Sequence, residues 1–177
     1  MPDSTVIPHV LGTIALISIF LAMEAYYDGL YTKLSEEAYK AQLNQVAEHI
    51  ASNLIDLVVV AQVAEEVFLV KKLEIPRLIA DKPYNITLTE MSKGEEVSLV
   101  SILLSWDRAN IYSYVELPWT AEAISIYSDQ AVDSPYNITL TTRLESIDDL
   151  GGALSIVVWC WRSGDSIVIG LGLMEEG

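Results

Sequence analysis

The chain has 177 residues, of which 25 are acidic and only 10 basic, for a formal net charge of −15. The basic residues are spread thinly, which excludes a nucleic-acid-binding surface, and the negative charge is repelled by anionic lipid. One cysteine, Cys160, excludes an internal disulfide, and Cys160 with only His9 and His49 excludes the usual zinc arrangements.

The first element is an apolar run. Between Asp3 and Glu24 lie twenty uncharged residues, Ser4 to Met23, mostly Ile, Leu, Val and Ala. A helix rising ~1.5 Å per residue needs about that many to cross ~30 Å of hydrocarbon. A membrane anchor is expected, with Ile7, Leu11, Ile14, Ile17 and Leu21 on its apolar surface and almost all the remaining chain on one side. No Lys or Arg precedes the run, and Met23 stands where a signal peptide would want a small residue, so a retained anchor is favoured over a removable signal. The nearest basic residue is Lys33, so flanking charge gives little indication of orientation.

A long amphipathic helix is expected next. Leu43, Val46, Ile50, Leu54, Leu57, Ala61, Ala64 and Phe68 follow one another at spacings of three or four, which is one helix face. Gln42, Gln45, Glu48, Asn53, Asp56 and Glu65 take the other faces, and Tyr27, Leu30, Leu34 and Ala38 extend the stripe backwards. No proline stands between Pro8 and Pro76, so a nearly continuous helix from about Ile7 to the mid-60s is expected, on the order of 85–90 Å long. A break near Gly29 is the alternative; a glycine there costs about 1 kcal/mol relative to alanine. The β-branched run Val58-Val59-Val60 is compatible with a strand start, but the periodicity across it favours helix.

The rest reads as strands, at 67–74, 83–90, 97–106, 111–117, 122–127, 135–143, 153–162 and 165–173, with turns at 90–94, 105–110, 148–152 and 162–164. The last pair, joined at Ser163-Gly164, is the clearest hairpin. Regular short strands predict an antiparallel sandwich-like domain. The expected class is therefore α+β, with a membrane-spanning helix and amphipathic stalk over 1–66 and an extracytoplasmic β domain over 67–177.

Two strands carry a repeat. Residues 83–89 and 135–141 both read Pro-Tyr-Asn-Ile-Thr-Leu-Thr. Tyr, Ile and Leu alternate with Asn and Thr, which predicts an apolar face inward and a polar face outward. The two copies are expected in equivalent places, with Tyr84, Ile86, Leu88, Tyr136, Ile138 and Leu140 buried and Asn85 and Asn137 exposed. Asn85-Ile86-Thr87 and Asn137-Ile138-Thr139 are N-glycosylation acceptors by sequence. The plainer reading is that they are the polar half of an amphipathic strand. Both readings favour a domain outside the cell, with the N-terminus inside.

No catalytic motif is present: no nucleophile elbow, phosphate-binding loop, dinucleotide fingerprint or metal-binding His helix. His49 beside Glu48 points away from it on a helix and reads as a surface or packing residue. Cys160, between Trp159 and Trp161 in an apolar strand, reads as buried and inert. Trp106 and Trp119 read as packing residues. Glu95-Glu96, Asp148-Asp149 and Glu175-Glu176 lack the alternating ligands of a calcium loop; Asp148-Asp149, before Gly151-Gly152, is the strongest of these weak candidates. No cofactor, metal site or enzymatic activity is expected.

The order of parts resembles archaeal type IV pilin-like proteins, including pilins, archaellins and archaellum-associated anchor proteins. The segment Ile7-Pro8-His9-Val10-Leu11-Gly12-Thr13-Ile14-Ala15-Leu16-Ile17-Ser18-Ile19-Phe20 is similar to the start of their hydrophobic helix. Gln45–Ala51, followed by Glu74-Ile75-Pro76 and Lys82–Ile86, is similar to their helix-to-sheet transition. The short basic leader of that family is absent; Met1 favours an unprocessed member over one numbered after cleavage. The resemblance implies a non-enzymatic cell-surface structural protein, associating with itself or other pilin-like subunits through the N-terminal helix, in the membrane or in an extracellular filament, with a surface-layer protein as a further partner. Val46, Ile50, Leu54 and Leu57 are then expected to pack the stalk. The rival reading is a single-anchor ligand-binding or sensory ectodomain, with Trp106, Tyr112 and Trp119 lining its pocket. A membrane-bound enzyme is the third.

Overall fold

The computed structural model describes residues 6–92, 98–105, 111–128, 132, 134–146 and 154–175. A single helix, α1 (Val6–Ala61), leads the chain. Pro8 falls in its first turn, where the missing N–H costs nothing, and the helix passes Gly29 without a break. The Val58–Val60 run stays helical. The end is tightened by three-residue bonds, Val63 N to Val60 O at 3.3 Å and Ala64 N to Ala61 O at 3.1 Å. The helix has no basic residue in its own last turn. Arg162 supplies one from elsewhere: its Nη1 donates to the carbonyls of Ala61, at 3.0 Å, and Gln62. A cation there answers both the unpaired carbonyls and the negative end of the helix dipole.

Among the described residues nine strands follow: β1 (Glu66–Lys72), β2 (Asn85–Ser92), β3 (Ser98–Ser105), β4 (Tyr112–Thr120), β5 (Ser125–Ile126), β6 (Ile138–Thr141), β7 (Arg143–Glu145), β8 (Leu154–Ser163) and β9 (Ser166–Glu175). They form two sheets. One has the order β1-β8-β9-β5, with β6 also on β9; the other runs β4-β3-β2-β7. All pairings are antiparallel except β5 with β9. The expected helix followed by mostly antiparallel sheets is therefore present.

Each expected strand has a counterpart, with one change. The stretch expected as a single strand at 135–143 divides at Thr142 into β6 and β7, which belong to different sheets. β6 pairs with β9, and β7 pairs with β2, so one short extended segment passes from one sheet into the other. The β8–β9 hairpin turns at Gly164 and Asp165, with Gly164 at φ 59°, a backbone conformation that favours glycine.

The chain forms two compact units, Met1–Ala38 and Tyr39–Gly177. The division falls inside α1. The reason is packing within the second unit. Leu43, Val46, Ala47, Ile50, Leu54, Val58 and Ala61 share one core with Ile86, Leu88, Ile102 and Leu104 of one sheet and Val158, Cys160, Ile169 and Leu171 of the other. Polar contacts follow the same course: Ser113 Oγ of β4 donates to Asn44 Oδ1 at 2.9 Å, and Lys71 Nζ of β1 meets Asp56 at 3.2 Å. Each large aliphatic side chain buried there contributes roughly 1.5–3 kcal/mol. The helix residues are thus part of the β domain's interior, and a fragment starting near residue 70 would lack one wall of its core.

The other face of the five-stranded sheet has its own small cluster. Trp159 is fully buried, stacked on Phe68 with ring centres 5.6 Å apart and edge-on to Tyr127 at 5.4 Å. Its Nε1 donates to the Leu171 carbonyl at 2.7 Å. Gly170, its cross-strand partner, leaves the room: a Cβ there would lie 2.3 Å from the indole.

Candidate functional site

The two stretches of α1 differ in what surrounds them. In the first, Leu11, Ile14, Ile17 and Leu21 are all exposed, as are Val10, Leu16, Ile19 and Phe20. These residues point in every direction around the helix, so this stretch has no polar face of the kind the second stretch carries. Ile7 lies in the same helix. Two hydroxyls of this stretch bond back onto the helix: Thr13 Oγ1 donates to the His9 carbonyl and Ser18 Oγ to the Ile14 carbonyl, both at 2.9 Å. Bonding back onto the helix removes the cost of placing a hydroxyl in hydrocarbon. The helix is long and apolar enough to cross a membrane by length and composition.

In the second stretch Val46, Ile50, Leu54 and Leu57 are buried, as the spacing predicts, and Ala47, Ala51 and Val58 widen the buried face. Their partners are the chain's own strands. The four residues expected to pack the stalk therefore pack against the chain's own sheets. Two details of the stripe also change. Tyr27, Leu30 and Leu34 are exposed, and Asn53, expected on a polar face, is buried with Nδ2 donating to the His49 carbonyl at 2.6 Å. The stripe runs past the helix end; Phe68 belongs to β1 and faces Trp159.

The two heptapeptides are not in equivalent places. Tyr84 is 1% exposed and its hydroxyl donates to the Pro76 carbonyl at 2.5 Å; Tyr136 is 52% exposed. Asn85 is buried at 7% exposure, whereas Asn137 is exposed, its Nδ2 donating to Glu175 at 2.8 Å. Ile86 and Leu88 are fully or nearly buried; Ile138 and Leu140 are half-buried. The cause is position. β2 is held between β3 and β7 over Asn85–Thr87, while β6 has four residues and pairs with β9. Of the two expected glycosylation acceptors, only Asn137 is accessible in the folded domain.

The remaining candidates resolve simply. Cys160 is fully buried in the core, and burial pushes its thiol up to about 12, which removes the thiolate at neutral pH. Trp119 is half-buried against the core and Tyr112 is exposed. Trp106, Asp148-Asp149 and Glu95-Glu96 lie outside the described residues. Among the described residues no group of three His, Cys, Asp or Glu side chains could hold a metal ion.

One concavity was not anticipated. A groove of about 380 Å³ lies between the helix residues Gln42, Gln45, Val46 and His49 and the segment Glu74–Ile79. That segment ends in a tight turn, with Ile79 and Lys82 exchanging backbone hydrogen bonds at 3.0 and 3.1 Å and with Ala80 and Asp81 at φ 50° and 59°. Two non-glycine residues at positive φ give no sequence signal of the usual Asn-Gly kind.

No protein-family model, curated protein or solved structure matches this chain.

Proposed function

We propose that this chain is a non-enzymatic cell-surface structural protein, a pilin-like subunit or accessory component of a type IV pilus-like or archaellum-like machine. The observation that carries the reading is the division of labour within α1. One unbroken helix leaves its N-terminal apolar surface bare and commits its C-terminal face to the core of the β domain. A bare, all-round apolar helix is stable in lipid or against other apolar helices, and either environment suits an anchor that also assembles. The β domain is then the extracytoplasmic part, sandwich-like, with the two sheets covering the second stretch of the helix. Its acidic composition keeps it soluble outside, and the exposed Asn137 sequon is available for a glycan there. Self-association or pairing with other pilin-like subunits goes through Leu11, Ile14, Ile17 and Leu21, and a surface-layer protein is the outward partner.

The test is a single charge in the bare stretch. Ile14→Arg or Ile17→Arg in the full chain is expected to abolish incorporation into membranes or filaments while leaving the β domain's near-ultraviolet circular dichroism unchanged. Incorporation at the normal level would sink the reading. Protease shaving of intact cells tests the topology; protection of the β domain would reverse the orientation.

A second reading rests on the groove beside Val46, His49 and Ile79. Its volume lies in the range of small-molecule sites, which supports a single-anchor ligand-binding or sensory ectodomain. Saturable binding of a small molecule that is lost in His49→Ala would favour it over the structural reading.

A further inference from the structure

We propose that Tyr26, Tyr27 and Tyr31 form an interfacial belt that fixes the depth of α1 in a bilayer of uncharged lipid headgroups, with the hydrocarbon boundary at Met23–Ala25. The proposal rests on the anchor reading above and adds to it the position of the lipid surface.

Three of the chain's nine tyrosines stand within six residues, directly after the uncharged run. All three are exposed, at 68%, 61% and 75%, so packing within the chain does not account for them. Tyr26 and Tyr27 touch edge to face, with ring centres 6.1 Å apart. A tyrosine ring is apolar along its body and polar at its tip, which suits it to the layer between hydrocarbon and water.

The spacing agrees with that layer. Val6–Met23 supplies the uncharged helical span, and Glu24 is the first charge after it. From Tyr26 to Tyr31 the helix rises ~7.5 Å, close to the ~5–7 Å that one headgroup region occupies. The helix turns ~100° per residue, so Tyr27 and Tyr31 lie almost one above the other and Tyr26 lies well around the circumference. Rings on two sides of a helix resist both sliding and tilting. Glu24 and Asp28 stand among these rings, and the nearest cation is Lys33, so this level of the helix is repelled by anionic lipid and accepted by neutral or zwitterionic headgroups. Lys33, Glu36 and Glu37 then follow, past the belt.

The experiment uses the full chain in zwitterionic vesicles. In a Cys160→Ala background, nitroxide labels are placed one at a time at Ile14→Cys, Ala25→Cys and Ser35→Cys, leaving the tyrosines in place. Collision with oxygen and with a water-soluble nickel chelate is compared at each. The expected result is oxygen-dominated collision at 14, nickel-dominated collision at 35 and the crossover at 25, with the balance at 25 shifting when all three tyrosines become alanine. If 14 is shielded but 25 is as wet as 35 or as dry as 14, or if the alanine triple leaves 25 unchanged, the belt is overturned and the anchor stands. Spin–spin broadening at 25 would place the tyrosines against another copy and also overturn it. Equal nickel exposure at all three positions would refute the anchor itself.

Discussion

Pro83–Thr89 and Pro135–Thr141 are identical in sequence, yet the first lies in the interior and the second lies near the rim. Tyr84 is sealed and hydrogen-bonded, whereas Tyr136 is half bare. Ile86 and Leu88 face the helix-filled core; Ile138 and Leu140 lie on a four-residue strand beside β9. Local alternation makes both copies extended, but neighbours on each side decide what is buried. The first copy also pairs with the chain that follows the second. The residues just after the second copy, Arg143–Glu145, pair with Asn85–Thr87 of the first, and Leu88 N donates to the Thr142 carbonyl at 2.9 Å.

The largest effect is expected at the first copy's tyrosine. Tyr84→Ala removes a buried ring and its hydrogen bond and should cost about 3–5 kcal/mol. Tyr136→Ala should cost less than about 1 kcal/mol. Urea unfolding of the full chain in detergent measures both; equal losses would break the comparison.

Next is a change that strikes the second copy and not the first. A Cβ at Gly172 would lie 2.5 Å from Ile138 Cγ2 and 3.2 Å from the Thr139 carbonyl oxygen. Gly172→Ala should cost about 1–3 kcal/mol by pushing β6 off β9. Amide exchange should then rise over Ile138–Thr141 and stay slow over Ile86–Leu88; uniform loosening would contradict the separation.

Alkaline pH sharpens the contrast from the buried side. Burial raises both the Tyr84 phenol and the Cys160 thiol, the latter to about 12 from an ordinary value of 9.0. In the unfolded chain these groups lose protons at their ordinary values, while the folded chain holds them. Stability is therefore fully present below about pH 9 and falls as pH rises towards 12. Tyr84→Phe should flatten the upper part of that fall, and an unchanged slope would show that Tyr84 does not carry it.

The smallest effect on stability is expected at the sequons, where the readout is mass. Native protein should carry a glycan at Asn137 and none at Asn85. Asn137→Gln should remove the added mass while changing stability by under about 0.5 kcal/mol. Modification at Asn85 would show that its burial does not limit access.

Much of this fold is legible in the sequence because two periods are strong. The spacing from Leu43 to Ala61 specifies a helix face, alternation over Asn85, Ile86, Thr87, Leu88 and Thr89 marks β2, and apolar runs on either side of Ser163-Gly164 mark β8 and β9. What the helix face would touch is not legible. The same stripe serves a stalk meeting other copies and a core element meeting its own sheets, since periodicity encodes a face but not its partner. The break at Thr142 is hidden for a similar reason: Thr141, Thr142 and Arg143 are all polar, which fits the fraying end of one strand as well as a passage between two sheets. The burial of Asn85 is not legible either, because an asparagine on a polar strand face is open only if nothing covers that face. For the candidate site, the bare stretch is legible from the absence of charge alone. The groove beside His49 is not, since it needs residues 74–79 folded back on the helix.

Arg162 sets an order on how the domain is made. Its guanidinium holds the end of a helix whose last residue lies 101 positions earlier, and its strand, β8, pairs with β1, the first strand after that helix. During synthesis the bare apolar stretch of α1 emerges and can enter a bilayer at once. Leu43 to Ala61 must wait, because the strands that complete their cover are made near the end of the chain. Closing so long a loop is slow, and it leaves half of an apolar helix uncovered in the meantime. On the anchor reading proposed above, membrane insertion would then precede domain closure.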